Sequence, residues 1–447
     1  MELGRLDDAK ALLEAAVPQA LRGGDERTAA RAALAYAQVL GVMTRSSAEP
    51  LRWVTIADAH IAHLGRDPEL VVSALMKRAD IESLVINPRG ALLALESARP
   101  WVKDDGGPRA VDFLSGLART YQQLERYADA IATYDRALAA ARDTLGPLHP
   151  KAAGLALGYS ACLVAAGHYE AALRIATRAE AENEKNLATD NPDRATLRHI
   201  RGLSLTGLGR FDEAVALHRS AIAVERRLFG DNLGQVAMTT TFALLAEVRA
   251  GRGPDALAVS AEVDALVAKY LPDNVNIRAS ADVLAALALE TAGRFDDAER
   301  AFEALRPRLE KAQLASELAW TLDGLGRAAT RAGRVDDAAT LHQAALDTLT
   351  PHYEATSLEL APTLIELGRA LGAAREPRAV EVLRRAVAIL EGEASDALFL
   401  ADARLTLAAI EPGHAPDLVD GARVVLAGSP YPRAQRIRER HATLLSH

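Results

Sequence analysis

A stretch between residues 201 and 210, RGLSLTGLGR, spaces Gly202 and Gly207 as the glycines of a phosphate-binding loop are spaced. Such a loop also needs a preceding strand and a lysine directly after the second glycine, because the lysine and the backbone amides hold the phosphates. Leu208 occupies the lysine position, and the surrounding apolar residues have helical spacing. The stretch therefore predicts a helix, and we expect no cofactor.

Two histidines have spacing that suits a metal ion. His60 and His63 lie three residues apart on a predicted helix, with Asp58 beside them. Two imidazoles on one helix face can share a metal, but a protein site needs at least a third ligand. No cluster of histidines or cysteines in the sequence supplies it. The sequence therefore predicts no metal site.

Pairs of acidic residues could act as a general acid and base. Asp296–Asp297 and Asp336–Asp337 recur, however, at the same point of a repeated unit, whereas a catalytic pair would be unique and set in a cleft. The sequence also has no GxSxG, no HExxH, and no HRD followed by DFG, which would indicate a hydrolase, a metalloprotease or a protein kinase. We therefore expect a chain without enzymatic activity.

The elements around these residues come from a repeat. GRFDEAVALHRSAI begins at Gly209 and returns at Gly293 as GRFDDAERAFEAL. Related turns begin at residues 125, 167, 209, 251 and 293, each 42 residues apart, and at residue 333, 40 residues further on. GRLDDA at Gly4 looks like another such turn. A fixed period of this length indicates helix pairs that bury their apolar faces by stacking, so we expect an all-α solenoid of about ten repeats.

The local chemistry of each turn agrees with this interpretation. The glycine suits a left-handed residue that ends the first helix, and the acidic residues favour the positive end of the second. Phe211 and Phe295 are expected to fill the corner between the helices. Pro150 and Pro192 suit the first position of a helix. A small alanine follows each turn, where the helices approach closely: Ala130, Ala172, Ala214, Ala256, Ala298 and Ala338.

These residues resemble the tetratricopeptide repeat. The matching positions are the small residue in the first helix, the Gly-x-aromatic turn and two alanines of the second helix. The resemblance covers residues 108–390, and the 42-residue period is most similar to the long variant of kinesin light chains and bacterial regulatory proteins. It implies a right-handed α-solenoid whose first helices line a concave groove that binds a peptide or partner protein.

The groove that the resemblance implies has its own composition here. Family members that clamp a C-terminal carboxylate use asparagines that this sequence lacks, so we reject that mode. The lining positions are Ser115 and Arg119, Leu157 and Ala161, His199 and Leu203, Thr241 and Leu245, Val283 and Leu287, and Asp323 and Arg327. We expect a segment with apolar anchors and acidic flanks to bind at Arg119, His199, Arg249, Arg327 and Arg331. Alternatively, the middle residues only pack the superhelix.

The pattern suggests three regions. Irregular repeats are expected over 1–107, a regular superhelix over 108–427, and a capping helix over 428–447. The first turn lacks its preceding helix, so we expect either that Met1 is not the natural start or that the chain once followed another segment. The repeat type is also similar to C-terminal regions of large bacterial serine/threonine kinases. The sequence thus predicts a non-catalytic scaffold or, alternatively, the regulatory region of a kinase whose catalytic domain lies upstream.

Composition excludes several partners. The net charge of −8 provides no global basic field for nucleic acid or anionic lipid. The longest run without acidic or basic side chains other than histidine, residues 152–169, contains three glycines and predicts no membrane span.

Cys162 is the only cysteine, so an intramolecular disulfide is impossible, and its apolar setting predicts a buried, inert thiol. With a charged N-terminus unlike a signal peptide, the sequence predicts a cytoplasmic protein.

Overall fold

A computed structural model describes residues 3–44, 46–84, 87–102, 107–184, 192–229, 233–392, 396–411 and 415–446. Within these ranges the chain forms 23 α-helices and two short 3-10 helices, and no β-strand. The prediction of an all-α solenoid is confirmed. None of the described helices is both long and apolar enough to cross a membrane.

The helices follow one another as consecutive pairs. Helix α1 spans Leu3–Arg22. The first helices of the pairs are α2 (Glu26–Thr44), α4 (Pro68–Leu84), α6 (Pro108–Gln123), α8 (Pro150–Ala165), α10 (Pro192–Gly207), α12 (Gly234–Ala250), α14 (Val275–Thr291), α16 (Ala315–Arg331), α18 (Ala361–Ala373) and α20 (Ala397–Ile410). The second helices are α3 (Ala48–His63), α5 (Pro88–Ala98), α7 (Tyr127–Leu145), α9 (Tyr169–Glu184), α11 (Phe211–Phe229), α13 (Gly253–Tyr270), α15 (Phe295–Ala312), α17 (Val335–Leu349), α19 (Arg378–Gly392) and α21 (Ala415–Gly428). Helices α22 (Pro432–Arg440) and α23 (Ala442–Leu445) end the chain.

The chain divides into two compact units, Met1–Cys162 and Leu163–His447, whose border falls within α8. In the first unit, α2, α4 and α6 pack side by side. In the second, α10, α12, α14, α16, α18 and α20 do the same, whereas the described second helices do not pack on one another. The first helices of the pairs therefore line the inner surface of each unit.

The turns have the predicted left-handed backbone. Their φ angles lie between 75° and 85° at Gly167, Gly209, Gly251, Gly293 and Gly333. Glu125 and Arg375 adopt φ angles of 58° and 59° at the equivalent points, where a side chain is strained. The six alanines that follow the turns are fully buried, as the spacing predicts. Pro150 and Pro192 begin α8 and α10, also as predicted.

Two local predictions are wrong. GRLDDA at Gly4 lies within α1 rather than in a turn, because α1 already begins at Leu3. Phe295 does not fill a corner: it is 45% exposed, and the Arg331 guanidinium lies 4.5 Å from its ring centroid. Phe211 is fully buried because the Tyr431 ring covers it at a centroid distance of 4.9 Å.

The second unit curls back on itself. Three consecutive turns pack against three segments near the C-terminus: Gly167 against Leu358, Gly209 against Asp396, and Gly251 against Arg436. A Cβ atom at Gly209 would lie 2.7 Å from Asp396 Oδ1, so this approach needs glycine. The solenoid of this unit therefore completes a turn, and the space left along its inner surface is narrow.

Candidate functional site

The inner surface of the second unit contains a cavity of about 170 Å³. Its lining comes from five first helices, α12 to α20: Leu245, Val248, Arg249, Leu287, Trp320, Asp323, Arg327, Pro362, Ile365, Glu366, Phe399 and Asp402. Trp320 and Phe399 are only half-buried, and the Arg433 guanidinium covers one face of the Phe399 ring at 3.6 Å from its centroid. A helix is about 10 Å across and cannot enter, whereas a cavity of about 150 Å³ holds one benzene ring. The cavity therefore suits one bulky apolar side chain.

Arg327 is tied to a carboxylate of the neighbouring first helix. Its Nη2 donates to Glu290 Oε2 at 2.6 Å and its Nε to Oε1 at 3.0 Å. Arg331 Nη1 donates to Glu290 Oε1 at 2.8 Å. Burial alone would raise the pKa of Glu290, but the two guanidinium groups outweigh it and hold this pKa below its usual range. Two of the predicted residues thus form one cluster with an acid that the sequence did not single out.

Arg249 lies at a second contact of this kind. It lines a small neighbouring cavity together with Tyr169, Glu359 and Asp396. Burial opposes its charge, but Tyr169, Glu359 and Asp396 outweigh this and raise the pKa of Arg249. The Tyr169 hydroxyl donates to Glu359, and Arg433 donates to Asp396 at 2.7 Å. Arg249 therefore helps to hold the curled ends of the unit together.

The remaining charges of the cavity wall are also compensated. Arg369 donates to Glu366 at 2.6 Å and to Asp402 at 2.9 Å. Asp402 also accepts from Arg440 at 2.9 Å and lies 3.1 Å from His441 Nε2. Despite burial, Arg369 lowers the pKa of Glu366 to about 2 and keeps that of Asp402 far below its usual range. The wall is thus mainly apolar, and the charged residues in it are paired with charges of opposite sign.

His199 does not reach this cavity. Its ring packs against the His218 ring at 5.3 Å and the Phe242 ring at 4.8 Å. Burial lowers the pKa of His199 to about 4, and burial with the neighbouring His199 lowers that of His218 to about 3. Both imidazoles are therefore neutral near pH 7.

The equivalent pair in a later repeat has different chemistry. Asp323 precedes the turn glycine Gly333 by as many residues as His199 precedes Gly209. Asp323 Oδ1 lies 2.7 Å from His342 Nδ1, and its Oδ2 accepts from Thr363 at 2.6 Å. One repeat thus provides a partner for Nδ1 of its buried histidine but not for Nε2, whereas no described residue hydrogen-bonds either ring nitrogen of His218.

Arg119 belongs to the first unit. It donates to Asp80 at 2.9 Å across an open cavity of about 420 Å³ between α4 and α6. Acidic and basic side chains alternate on this surface, and Lys151 Nζ donates to Asp112 at 2.5 Å. The surface therefore has no excess of one sign that would select an acidic partner.

The five predicted binding residues thus fall into three settings. Arg249 and Arg327 share one cavity, and Glu290 links Arg331 to Arg327. His199 packs among aromatic rings and Arg119 lies in the other unit. The sequence did not indicate Trp320 or Phe399, because neither stands at a position that the repeat pattern marks.

The other candidates for chemistry have structural roles. Residues 201–207 form part of α10, and Gly202 is small because the His218 ring packs against it. Asp296 and Asp297 lie in the first turn of α15, as predicted. Cys162 is buried, as predicted, and burial raises the pKa of its thiol to about 12.

Comparisons with known proteins agree with this architecture. Family models of the tetratricopeptide repeat match residues 110–181, 194–232 and 321–354. The apo form of the quorum sensor NprR from B. thuringiensis is 14% identical, with a TM-score of 0.54 over 78% of this chain and 99% of that one. A Rap protein complexed with competence and sporulation factor is 12% identical, with a TM-score of 0.54 over 75% and 98%. Aspartyl phosphate phosphatase F from Bacillus subtilis is 12% identical, with a TM-score of 0.53 over 78% and 95%.

A comparison with curated protein sequences gives no significant match. At identities this low, the structural similarity establishes the fold alone. The similarity to the repeat regions of bacterial kinases stays a prediction.

Proposed function

We propose that this chain, whose residues 110–181, 194–232 and 321–354 match tetratricopeptide-repeat models, is a non-catalytic scaffold that binds a segment of a partner protein on the inner surface of its second unit. The observation that carries this proposal is the apolar cavity between Trp320, Leu287 and Phe399. Half-buried aromatic rings in a cleft leave apolar surface that a partner can cover, and convergent apolar pockets with a few polar groups are the usual binding sites.

The cavity size defines what the partner offers. A space of about 170 Å³ takes one large apolar side chain and excludes a whole helix. The bound segment is therefore extended, with a single Leu-, Met- or Phe-like anchor. Burial of such a side chain stabilises the complex by roughly 1.5–3 kcal/mol. This term accounts for most of the preference for segments with an apolar anchor over segments without one.

Charges beside the cavity set the orientation of the segment. Arg331 is the more exposed member of the Glu290 cluster, with 33% of its side chain accessible. An acidic residue of the partner, next to the anchor, can form an ion pair with Arg331. The more buried Arg327 then stays paired with Glu290. We expect this contact to add little affinity, since exposed ion pairs contribute about 1 kcal/mol or less, but to make binding weaker at high salt.

A displayed library of random peptides tests the proposal. Peptides are selected on the full chain and their affinities are then measured on two variants. Leu287→Trp fills the cavity, whereas Val424→Trp places the same ring on α21, where Val424 is 75% exposed. Selected peptides should share one bulky apolar residue and bind Leu287→Trp about 10-fold more weakly or worse, while Val424→Trp matches the parent.

Two results would contradict the proposal. One is a selection that enriches no common apolar residue. The other is a set of peptides that bind Leu287→Trp as tightly as the parent chain. Circular dichroism of both variants checks that each retains the parent's helix content, so that lost binding reports on the cavity.

A further inference from the structure

Three metal-ligating side chains meet in the first unit. Glu26 lies at the start of α2, and His60 and His63 lie in the last turn of α3. Glu26 Oε2 is 3.3 Å from His63 Nδ1 and 4.0 Å from His60 Nδ1. One ligand atom from each of the three residues lies within 4.8 Å of the other two. The third ligand that the sequence did not supply thus comes from the paired helix.

Two of the three atoms that face one another make no hydrogen bond. Glu26 Oε2 and His60 Nδ1 are both buried, and within the described chain neither has a hydrogen-bond partner. Buried polar atoms without partners are rare and call for an explanation such as a bound ion. The His63 side chain is 72% exposed, whereas that of His60 is 16% exposed, so an ion can enter from the solvent side.

We propose that Glu26, His60 and His63 bind a divalent transition-metal ion of the zinc type. Two imidazoles and one carboxylate are a common ligand set for zinc, with bond lengths of about 2.0–2.2 Å. Tetrahedral bonds of that length place ligand atoms about 3.3 Å apart, which the Glu26–His63 distance already matches. Small rotations of the His60 side chain close the remaining distance. Water completes the coordination on the exposed side.

The position of the site suggests what the ion does. α2 and α3 pack as an antiparallel pair that is joined by the loop after Thr44. The start of α2 and the end of α3 lie at the opposite end of that pair. A metal there closes the open end of the hairpin, so it stabilises the first unit rather than performing catalysis.

Titration with Co²⁺ and Zn²⁺ tests this inference on the full chain, prepared without a polyhistidine tag. We expect one Co²⁺ per chain, with visible absorption bands of a low-symmetry site that Zn²⁺ abolishes. Glu26→Gln and His60→Ala should each weaken binding by at least about 10-fold. His149→Ala removes a histidine of the same unit that lies outside the cluster and should bind as the parent does.

Thermal unfolding provides a second readout. Zn²⁺ should raise the melting temperature of the parent and of His149→Ala, but not of Glu26→Gln or His60→Ala. Absence of binding to the parent, or binding that survives in both Glu26→Gln and His60→Ala, would overturn the inference. The cluster would then be an exposed Glu26–His63 ion pair only. Because these side chains are partly exposed, the variants should retain the parent's helix content.

Discussion

The neutral histidines of the second unit predict a loss of stability in weak acid. In the folded chain the pKa of His199 is about 4 and that of His218 about 3, mainly because burial disfavours the charged imidazole. In the unfolded chain both return to about 6.5. Because the folded pKa values are the lower ones, the stabilisation is complete above pH 6.5 and is lost as the pH falls toward 4 and 3.

The size of the effect at about pH 5 depends only on the unfolded state, since both folded histidines are still neutral there. Between about pH 7.5 and pH 5, each of the two histidines binds a proton in the unfolded chain but stays neutral in the folded chain. This lowers the free energy of unfolding by ~2 kcal/mol per histidine, and by ~4 kcal/mol for the pair.

A variant built from the chain's own repeats isolates the effect. The positions equivalent to His199 and His218 in the repeat of α18 and α19 are Ile365 and Leu383. Leu383 packs against Gly368 as His218 packs against Gly202. His199→Ile with His218→Leu therefore replaces the pair by residues that this geometry already accommodates.

Urea unfolding followed by circular dichroism at the two pH values measures the difference. The parent should lose ~4 kcal/mol more than the double variant between about pH 7.5 and pH 5. His149→Gln, a histidine in the first unit, should behave as the parent. If the double variant loses as much stability in acid as the parent, the two histidines are not buried neutral groups and the packing described for α10 and α11 is wrong.

Four further changes test other parts of the structure. Ala214→Glu buries a charge where two helices cross and should cost about 3 kcal/mol or more; a thermal melt like the parent's would refute the phase of the repeats. Gly326→Ala places a Cβ atom 2.6 Å from the His342 ring and should cost about 1–3 kcal/mol in urea unfolding; an unchanged midpoint would contradict that contact. Glu366, whose pKa falls from 4.5 to about 2 on folding, should contribute ~3 kcal/mol that is lost as the pH drops through that window, and Glu366→Gln should flatten acid unfolding there. Cys162 should react with a thiol reagent only in denaturant, and rapid labelling of the native chain would show that it is not buried.

The repeat period made most of the fold predictable. Because the turn glycines recur at a fixed spacing, the sequence located the left-handed residues at Gly209 and its equivalents and the buried alanines after them. It placed the prolines that open α8 and α10 for the same reason. These features depend on local geometry that is repeated many times. An atypical residue in one repeat therefore does not change how the repeats are aligned along the sequence.

The curl of the second unit could not be predicted in this way. Contacts such as that of Gly209 with Asp396 join residues from distant repeats, and no periodic signal records them. Phe211 and Phe295 stand at the same point of their repeats, but only Phe211 is buried, because Tyr431 from a distant part of the chain packs on it. The cavity is a product of this curl, which explains why Trp320 and Phe399 were not indicated. The sequence did not indicate Glu26 either, because its partners His60 and His63 lie on the next helix.

The emission of Trp320 tests the central claim most directly. In the variant Trp53→Phe with Trp101→Phe, Trp320 is the only remaining tryptophan. Titration with a selected peptide should shift its emission to shorter wavelength with the same midpoint as the binding curve, because the anchor displaces water from the ring. The same peptide with alanine at its anchor should produce no shift. Tight binding that leaves Trp320 emission unchanged would show that the partner segment binds elsewhere, and the cavity would lose its proposed role.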